Sequence, residues 1–319
     1  MKAIVQESYG SPDGLEFREI DKPVVGDDDV LVRVRAAGVN AYDWFMMRRL
    51  THVVGMLRRT PQTRVRGVDL AGHVEAVGKN VTRFRPGDEV FGAGNGSFAE
   101  YAVATERRLA PKPRNLTFEQ AAALPIAGLT ALQGLRDYAR VQPGQRVLVY
   151  GAGGGVGTFA VQIAKALGAH VTAVSNTGNV DLLRSIGADD VIDYTKEDFT
   201  KRSQRCDVLF DVGGNRSLSD CRDVLAPNGL HVLAGAGDKA LALLSRLLGA
   251  QLRSRIGKQR IGTFMARGKP EDLAALKDLA EAGKLTPVID RTYPLNEAAD
   301  ALRYVGTRGV RGKVVIKVA

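Results

Sequence analysis

The sequence predicts an α/β fold in which a doubly wound parallel sheet follows a β-rich first segment. Three observations support this prediction. Short strands and turns fill the first hundred or so residues, and Val30–Arg35 has the period-2 pattern of a half-buried strand. From Phe118 onward, apolar runs alternate with helix-period segments, which is typical of βαβ units. A glycine-rich turn joins a strand to a helix within that second region.

The composition is that of a globular protein. The chain has 319 residues, 45% of them hydrophobic and 25% charged, and this length suffices for two domains. Its two cysteines, Cys206 and Cys221, cannot build a disulfide framework or, alone, a four-ligand zinc site. A reducing, cytoplasmic location is therefore expected. Charge at Lys2 precedes any apolar stretch of signal-peptide length, and no membrane span is expected.

The expected elements follow from these patterns in chain order. The parallel strands are predicted at Arg146–Tyr150, His170–Val174, Val191–Asp193, Val208–Asp211 and Leu230–Leu233, with Arg260–Phe264 as a candidate sixth. The tail is predicted as a helix at Pro270–Ala282, a strand at Pro287–Thr292, a helix at Asn296–Tyr304 and a strand at Gly312–Val318. Because this tail is too short to fold alone, we expect it to return to the first domain. The predicted domains are therefore 1–120, 121–260 and the returning segment 261–319.

The strongest motif runs from Val147 to Gly157, where a buried strand enters a glycine-rich turn and then a helix. In the Gly-x-Gly-x-x-Gly frame the three positions are Ala152, Gly154 and Gly157, so alanine replaces the first glycine. Small residues let backbone N–H groups reach a pyrophosphate, which the positive end of the helix stabilises. The alternative is a tight turn between strand and helix that binds no ligand.

The end of the next strand bears on the choice of dinucleotide. NAD sites usually carry an acidic residue there, which accepts hydrogen bonds from the ribose 2′-hydroxyl. This chain has Ser175 and Asn176 instead, and no carboxylate comes before Asp181. Since an acid would repel a 2′-phosphate while these side chains can donate to it, the sequence favours NADPH over NADH.

Several other chemistries are excluded or disfavoured. No tyrosine has a lysine four positions later, and the serine-hydrolase and P-loop patterns are absent. The four histidines show no metal-ligand spacing. The net charge is +10, but no nucleic-acid-binding motif accompanies it. We therefore expect the basic residues to form solvated surface and do not expect a nucleic acid as a partner. The basic residues cluster at Arg48, Arg49, Arg58, Arg59, Arg64 and Arg66, and at Arg246, Arg253, Arg255, Lys258 and Arg260.

Several further segments match one family pattern jointly. They are Ala36–Trp44, Gly67–Gly78, Arg85–Val90, Gly96–Tyr101 and Ala121–Ala131. Together with the glycine turn, they make the chain resemble the zinc-independent quinone oxidoreductase-like branch of the medium-chain dehydrogenase/reductase superfamily over nearly its whole length. Zinc-dependent members carry a cysteine in place of Asn40 and a Gly-His-Glu triplet in place of Gly67-Val68-Asp69. An amide and a valine remove two zinc ligands, so metal-free chemistry is expected.

The resemblance implies a GroES-like β-rich catalytic domain built from both chain ends, a Rossmann domain, and an active site in the cleft between them. It implies roles for two sets of residues. The cofactor set is Thr130, Gly154, Gly155, Val156, Gly157, Ser175, Asn176, Tyr194, Gly213, Thr263 and Phe264. The catalytic set is Asn40 and Asp43, although Asp43 could equally cap the helix that follows it. Thr130 could merely pack in a helix, and Tyr194 could be an ordinary aromatic after a strand.

The expected function is therefore NADPH-dependent reduction of quinones or α,β-unsaturated carbonyl compounds without zinc. Hydride would pass from the nicotinamide, with the oxyanion stabilised by Asn40 or by backbone donors. Two alternatives stay open: an alcohol dehydrogenase-like enzyme of the same fold, and an RNA-binding or interaction protein with NADPH as a regulatory ligand. In the relatives, dimers join Rossmann sheets edge to edge, so a homodimer through Arg260–Phe264 is expected.

Overall fold

The computed structural model describes residues 1–48, 64–214, 216–234, 258–307 and 309–318. They form two compact units, residues 1–129 with 268–319 (unit 1) and residues 130–267 (unit 2). The sequence predicted the divisions at 120/121 and 260/261. Both divisions come later in the structure, at 129/130 and 267/268, so residues 118–129 belong with unit 1. There, the backbone N–H of Ile126 donates to both carboxylate oxygens of Asp69 at 3.2 Å.

The elements are numbered here in chain order over the described residues. The strands are β1 (Lys2–Gln6), β2 (Leu15–Glu19), β3 (Asp29–Val39), β4 (Asp69–Val77), β5 (Glu89–Ala93), β6 (Tyr101–Thr105), β7 (Leu109–Pro111), β8 (Arg146–Tyr150), β9 (His170–Ser175), β10 (Asp190–Asp193), β11 (Cys206–Asp211), β12 (Leu225–Leu233), β13 (Arg260–Thr263), β14 (Ile289–Pro294) and β15 (Lys313–Lys317). The helices are α1 (Ala41–Arg48), α2 (Phe118–Ala122), α3 (Pro125–Leu132), α4 (Gly155–Ala166), α5 (Val180–Ser185), α6 (Leu218–Asp223), α7 (Pro270–Glu281) and α8 (Ala298–Gly306).

Unit 1 is built on a mostly antiparallel sheet of seven strands. Its order is β14-β15-β3-β4-β5-β7, and β6 pairs with β3. The long strand β3 buries Val30, Val32 and Val34 completely, as its alternating pattern predicts. Strand β15 is antiparallel to β3, with Val314 opposite Val39. The last strand of the chain therefore lies beside one of the first.

Unit 2 contains a parallel sheet of six strands in the order β10-β9-β8-β11-β12-β13. The chain leaves β8 toward β9 on one side and later returns to β11 on the other, so the sheet is doubly wound with its switch point between β8 and β11. This architecture confirms the fold class predicted from the sequence. Helix α4 packs on the sheet through Phe159 and Ile163, which are fully or almost fully buried.

The strand limits differ from prediction mainly in β12. This strand begins at Leu225 rather than Leu230, because Leu225 pairs with Cys206 across an irregularity in the ladder. The Pro-Asn-Gly sequence at 227–229 disguises this extension as a turn. The candidate sixth strand is present as β13, which pairs with β12 in parallel.

A π-helical turn at Gln133–Tyr138 continues α3 and supports the segment after β13. The Gln133 side chain makes two hydrogen bonds with the backbone of Arg267, donating at 2.7 Å and accepting at 2.9 Å. Phe264 stacks on Tyr138 with ring centroids 5.6 Å apart. These contacts fix the chain where it leaves the sheet.

The basic clusters are described only in part. Arg49, Arg58, Arg59, Arg246, Arg253 and Arg255 lie outside the described residues. Of the others, Arg64 is exposed and Arg48 lies over the Trp44 ring at 5.0 Å, but Arg66 is only 7% exposed. The expectation of solvated surface is therefore wrong for Arg66. Its backbone N–H donates to the carbonyl of Ile4 in β1 at 3.1 Å, so this residue lies against that strand. Among the described residues, no helix is both long and apolar enough to cross a bilayer.

Candidate functional site

The carboxyl ends of the parallel strands in unit 2 gather most of the predicted cofactor residues at one edge. Parallel pairing aligns Tyr150 with Val174 and with Asp211, and it continues from Asp211 through Leu233 to Thr263. The predicted residues Ser175 and Thr263 therefore end β9 and β13, and Gly213 comes two residues after β11, all at this same end of the sheet. This edge, beside the switch point, is where open α/β sheets bind their ligands.

Three glycines in the turn after β8 have different surroundings. Gly151 has φ +83°, a left-handed conformation that favours glycine. A Cβ on Gly157 would collide with the carbonyl oxygen of Gly151 and lie 2.7 Å from the backbone of Ala152. A Cβ on Gly154 would instead have only the Gly151 oxygen nearby, at 3.6 Å. The protein thus packs tightly against Gly157 and leaves the face of Gly154 open.

Helix α4 begins at this open face. Gly154 is its N-cap residue and makes no side-chain cap, and Gly155, Val156 and Gly157 form the first turn. The N–H groups of a first helical turn lack intrahelical partners and carry the positive end of the helix dipole. The turn can therefore accept an anion with negatively charged oxygens, such as a pyrophosphate.

The end of β9 lies next to this turn. The Ser175 hydroxyl accepts a hydrogen bond from Asn179 Nδ2 at 2.9 Å, and both side chains are buried. A Cβ on Gly153 would lie 2.7 Å from Ser175 Oγ, so the serine borders the turn. Asn176 precedes a short 3₁₀ turn and is half-buried. Sequence analysis missed Asn179, since only the 3₁₀ turn brings it back toward Ser175.

Tyr194, another predicted cofactor residue, lies beside Ser175. Its backbone N–H donates to the Ser175 carbonyl at 3.0 Å, and its side chain is 46% exposed. Two charged residues near Tyr194, Asp193 and Lys196, were missed by sequence analysis. Asp193 pairs in register with Ser175, accepts hydrogen bonds from Thr177 and Thr195, and lies 3.7 Å from Lys196. The Thr177 hydroxyl, together with Thr195, keeps the pKa of the Asp193 carboxyl below its usual value.

The loop after β11 lies against the glycine turn. Gly213 donates to the Tyr150 carbonyl at 3.1 Å, and a Cβ on Gly151 would be 2.8 Å from the Gly213 nitrogen. Asp211 holds this loop by accepting from the Gly214 N–H at 2.8 Å, and its other oxygen is 3.1 Å from His231 Nε2. Asp211, His231 and Cys221 are all buried, and their metal-ligand-type atoms lie within 4.8 Å of one another. Sequence analysis found no role for this group.

The remaining predicted cofactor residues have different environments. Thr263 ends β13, and its hydroxyl donates to the Leu233 carbonyl at 3.1 Å. Phe264 directs its ring onto Tyr138, so any ligand contact from this position would come from its backbone. Thr130 lies within α3 and is half-buried.

Unit 1 holds a second polar group, which we call the Asn40 cluster: Asn40, Asp43, Asp69 and Lys313. Asn40 follows β3 and precedes α1, where Asp43 Oδ2 accepts its backbone N–H at 2.8 Å. Asp43 therefore stabilises the start of α1 from within its first turn, whereas the alternative interpretation had it as the N-cap residue before the helix. The Asn40 side chain donates to Asp69 Oδ2 at 2.9 Å, and its oxygen accepts from the Lys313 ammonium group.

Sequence analysis missed Asp69 and Lys313 as members of this cluster. Asp69 begins β4, Lys313 begins β15, and the two are 0% and 3% exposed. Burial raises the pKa of Asp43, beside Asp69, to about 7. Burial likewise raises the pKa of Asp69 to about 6, although Lys313 and Asn40 oppose that rise. Burial lowers the pKa of Lys313, against the attraction of both carboxylates.

The Asn40 cluster does not fit the catalytic zinc of the zinc-dependent relatives. Zinc favours thiolate and imidazole ligands. At the corresponding positions this chain has the Asn40 amide, the Val68 side chain and the Asp69 carboxylate, and an ammonium group already bonds to the amide. The cluster therefore does not provide the ligands of such a zinc site.

Comparison with known proteins identifies the family. A model of the alcohol dehydrogenase GroES-like domain matches residues 26–114, and a zinc-binding dehydrogenase model matches residues 186–316. A quinone oxidoreductase of Pseudomonas aeruginosa is 33% identical over 99% of this chain and 99% of its own length. The chain belongs to the quinone oxidoreductase-like branch of the medium-chain dehydrogenase/reductase superfamily. This confirms the resemblance inferred from its motifs.

Two further relatives support the assignment of this reductase. A 2-methylene-furan-3-one reductase of Solanum lycopersicum is 35% identical over 99% of the chain and 79% of the relative. The structure of the quinone oxidoreductase from Coxiella burnetii superposes with a TM-score of 0.87 at 30% identity, over 100% of this chain and 99% of that one. Unit 2 accordingly contains the dinucleotide-binding domain of an oxidoreductase family, and unit 1 contains its GroES-like domain.

Proposed function

We propose that the protein reduces quinones or α,β-unsaturated carbonyl compounds with NADPH and without zinc. The observation that carries this proposal is the open face at Gly154, where an uncapped helix start meets a turn closed tightly around Gly157. Such a face admits a pyrophosphate to backbone N–H groups. The names of the tomato and bacterial relatives support an electrophilic, conjugated substrate.

The preference for NADPH rests on the groups at the end of β9. The Ser175 hydroxyl accepts from Asn179, which leaves its own proton free to donate to a phosphate. Tyr194 and Lys196 follow the neighbouring strand, and Lys196 is 71% exposed on its side chain. The acidic group nearby, Asp193, is already hydrogen-bonded to two threonine hydroxyls. These features favour a 2′-phosphate over a bare ribose hydroxyl.

The mechanism divides into binding, orientation and charge stabilisation. When bound, the nicotinamide cofactor supplies the hydride. Gly154 to Gly157 would hold the pyrophosphate, while Ser175, Asn176 and Tyr194 would hold the adenosine end. Thr130 would hydrogen-bond near the nicotinamide, and Gly213 with the backbone of Thr263 and Phe264 would line the rest of the groove. Asn40 donates a hydrogen bond to the substrate oxygen as negative charge develops there, and Asp43 keeps Asn40 at the start of α1.

The test is NADPH oxidation against a panel of quinones, enals, enones and simple ketones. We expect turnover with quinones or conjugated carbonyls, little with simple ketones, and a higher kcat/KM with NADPH than with NADH. Metal analysis of the active enzyme should find less than stoichiometric zinc. Turnover confined to simple ketones, or an NADH preference, would contradict the proposal.

An alcohol dehydrogenase-like activity is the second candidate, since both matching family models carry dehydrogenase names. It predicts alcohol-driven reduction of NADP⁺ and bound zinc. The amide and valine at the zinc-ligand positions argue against it. Measuring NADP⁺ reduction with primary and secondary alcohols separates the two candidates directly.

The proposed assembly is a homodimer that joins the β13 edges of two unit 2 sheets, in a cytoplasmic setting. Among the described strands, β13 ends the order of the parallel sheet and has a partner on one side. Open strand edges are frequent pairing sites between chains.

A further inference from the structure

The side-chain amide of Asn40 is held at both of its ends by buried charged groups. Its oxygen accepts from the Lys313 ammonium group, and its nitrogen donates to Asp69 Oδ2 at 2.9 Å. Asn40 is 7% exposed, and the other two residues are at most 3% exposed. Three separate elements supply these groups: the end of β3, the start of β4 and the start of β15.

The charges of these partners determine which way the amide points. An ammonium group can only donate and a carboxylate can only accept. If the amide rotated by half a turn, its NH₂ group would face the Lys313 ammonium group, a donor against a donor. Its oxygen would face the Asp69 carboxylate, an acceptor against an acceptor. The orientation of Asn40 therefore follows from the chemistry of its neighbours.

This arrangement leaves one hydrogen of the amide nitrogen available. One N–H of Asn40 is committed to Asp69, and the other has the Gly38 carbonyl at 3.5 Å, the long limit of a hydrogen bond. The ammonium group on the oxygen polarises the amide, which strengthens the remaining N–H as a donor.

Stability alone is a weak reason for such a cluster. Burying an ammonium and a carboxylate costs desolvation free energy, and apolar side chains of similar volume often stabilise a fold as well. Asp69 is in addition anchored by the Ile126 N–H and lies 3.8 Å from Lys313. The cluster therefore has fixed charged partners at both ends of the Asn40 amide, which is what orienting this one polar group requires.

We propose that Lys313 and Asp69 are positioning residues, which fix the Asn40 amide so that its remaining N–H meets the carbonyl oxygen of the substrate. This inference rests on the proposed reductase function and names the groups that prepare its donor. Neither residue touches the substrate; both act through Asn40.

A double-mutant cycle tests whether Lys313 acts through Asn40. Asn40→Ala should lower kcat about 100-fold, as removal of an oxyanion donor does. Lys313→Met should lower kcat at least about tenfold, with little change in the KM for NADPH. In the Asn40→Ala background, Lys313→Met should cost nothing further, because the group it positions is gone. An equal loss in both backgrounds would overturn the proposal, as would unchanged kcat in Lys313→Met.

Two matched variants separate orientation from folding. Lys317→Met removes an exposed lysine from the same strand and should leave kcat unchanged. Asp69→Asn/Lys313→Met removes both charges that bond to Asn40, so the Asp69 carboxylate is not left buried without its lysine if Lys313→Met alone fails to fold. This double variant should fold and still show the kcat loss; full activity in it would show that the charges are unnecessary for orientation.

A measurement without turnover distinguishes this proposal from the proposed function. With selective ¹⁵N-asparagine labelling, the Asn40 side-chain signal is the one lost in Asn40→Ala. Its amide hydrogen exchange should accelerate in Lys313→Met, or in the neutral double variant, and stay unchanged in Lys317→Met. Unchanged exchange in the folded variants would contradict the positioning role. Failure of the wild type to reduce any panel substrate, with accelerated exchange, would refute only the activity.

Discussion

Asp43 in unit 1 is a buried carboxyl group that titrates near neutral pH. Burial, together with the adjacent Asp69, raises the pKa of Asp43 to about 7, while the unfolded chain keeps a value near 3.9. The folded state therefore binds more protons than the unfolded state between about pH 4 and 7. Its free energy of unfolding should fall as pH rises through that window.

The corresponding prediction is that Tm decreases between pH 5 and pH 8, and that Asp43→Asn reduces this decrease. Asparagine keeps an oxygen that can accept the Asn40 N–H but carries no charge. Each 1 kcal/mol lost would lower Tm by about 2–4 °C for a domain of this size. Asp181→Asn, at a fully exposed carboxylate, is the control and should leave the wild-type slope. An identical slope in Asp43→Asn would exclude Asp43 as its source.

Lys196 provides a second prediction for a single residue. It lies 3.7 Å from Asp193, next to the strand end that carries Ser175. We expect Lys196→Ala to raise the KM for NADPH about fivefold, corresponding to ~1 kcal/mol for an exposed ionic contact. The KM for NADH should not change, because that cofactor lacks the 2′-phosphate. An equal rise in the KM for both cofactors would refute a role of Lys196 in selectivity. So would a KM for NADPH no higher than that of the exposed control Lys201→Ala.

At the scale of one element, the start of α4 shows how two glycines of the same motif differ. Gly157→Ala forces a Cβ into the Gly151 carbonyl and the Ala152 backbone. Gly154→Ala meets only one atom, at 3.6 Å, and its backbone, with φ −85° and ψ 178°, suits any residue. Gly157 is needed for the turn itself, whereas packing does not require Gly154, which the proposed function assigns to the approach of a ligand.

We therefore expect Gly154→Ala to keep the wild-type Tm while raising the Kd for NADPH about tenfold, or ~1.4 kcal/mol. Gly157→Ala should lower Tm and weaken binding together, since overpacking against backbone costs about 1–3 kcal/mol. Differential scanning fluorimetry and a fluorescence titration with NADPH measure the two quantities. If Gly154→Ala bound NADPH like the wild type, the open face would not be a phosphate site.

The elements also show what a sequence can predict. Strand β8, the glycine turn and α4 were predicted because periodicity, small residues and the Gly168 cap all lie within about 20 residues. Lys313 in the Asn40 cluster was not, because 273 positions separate it from Asn40 and a lysine near a chain end has no pattern that indicates burial. Lys196 was missed for a related reason, because its role depends on which strand ends are neighbours. Asn179 was missed because it reaches Ser175 only through the 3₁₀ turn between them.

At the scale of the whole molecule, the prediction concerns assembly. If the β13 edge joins two chains, a charge on that edge should separate them. Ile261→Asp is expected to convert the dimer into a monomer in sedimentation velocity. Val191→Asp makes the same change on β10, at the other edge of the sheet, and should leave the dimer intact. A monomeric wild type, or a dimer that survives Ile261→Asp, would refute this interface.

The origin of Lys313 in the last strand has a consequence for protein synthesis. Asn40 leaves the ribosome 273 residues before the lysine that completes its hydrogen bonds. At 5–20 residues per second, this interval is about 14–55 seconds. For most of it, the nascent N-terminal segment holds two acidic side chains, Asp43 and Asp69, whose basic partner has not been translated. Messages truncated shortly before their stop codon should therefore yield chains that chaperones retain and proteases remove.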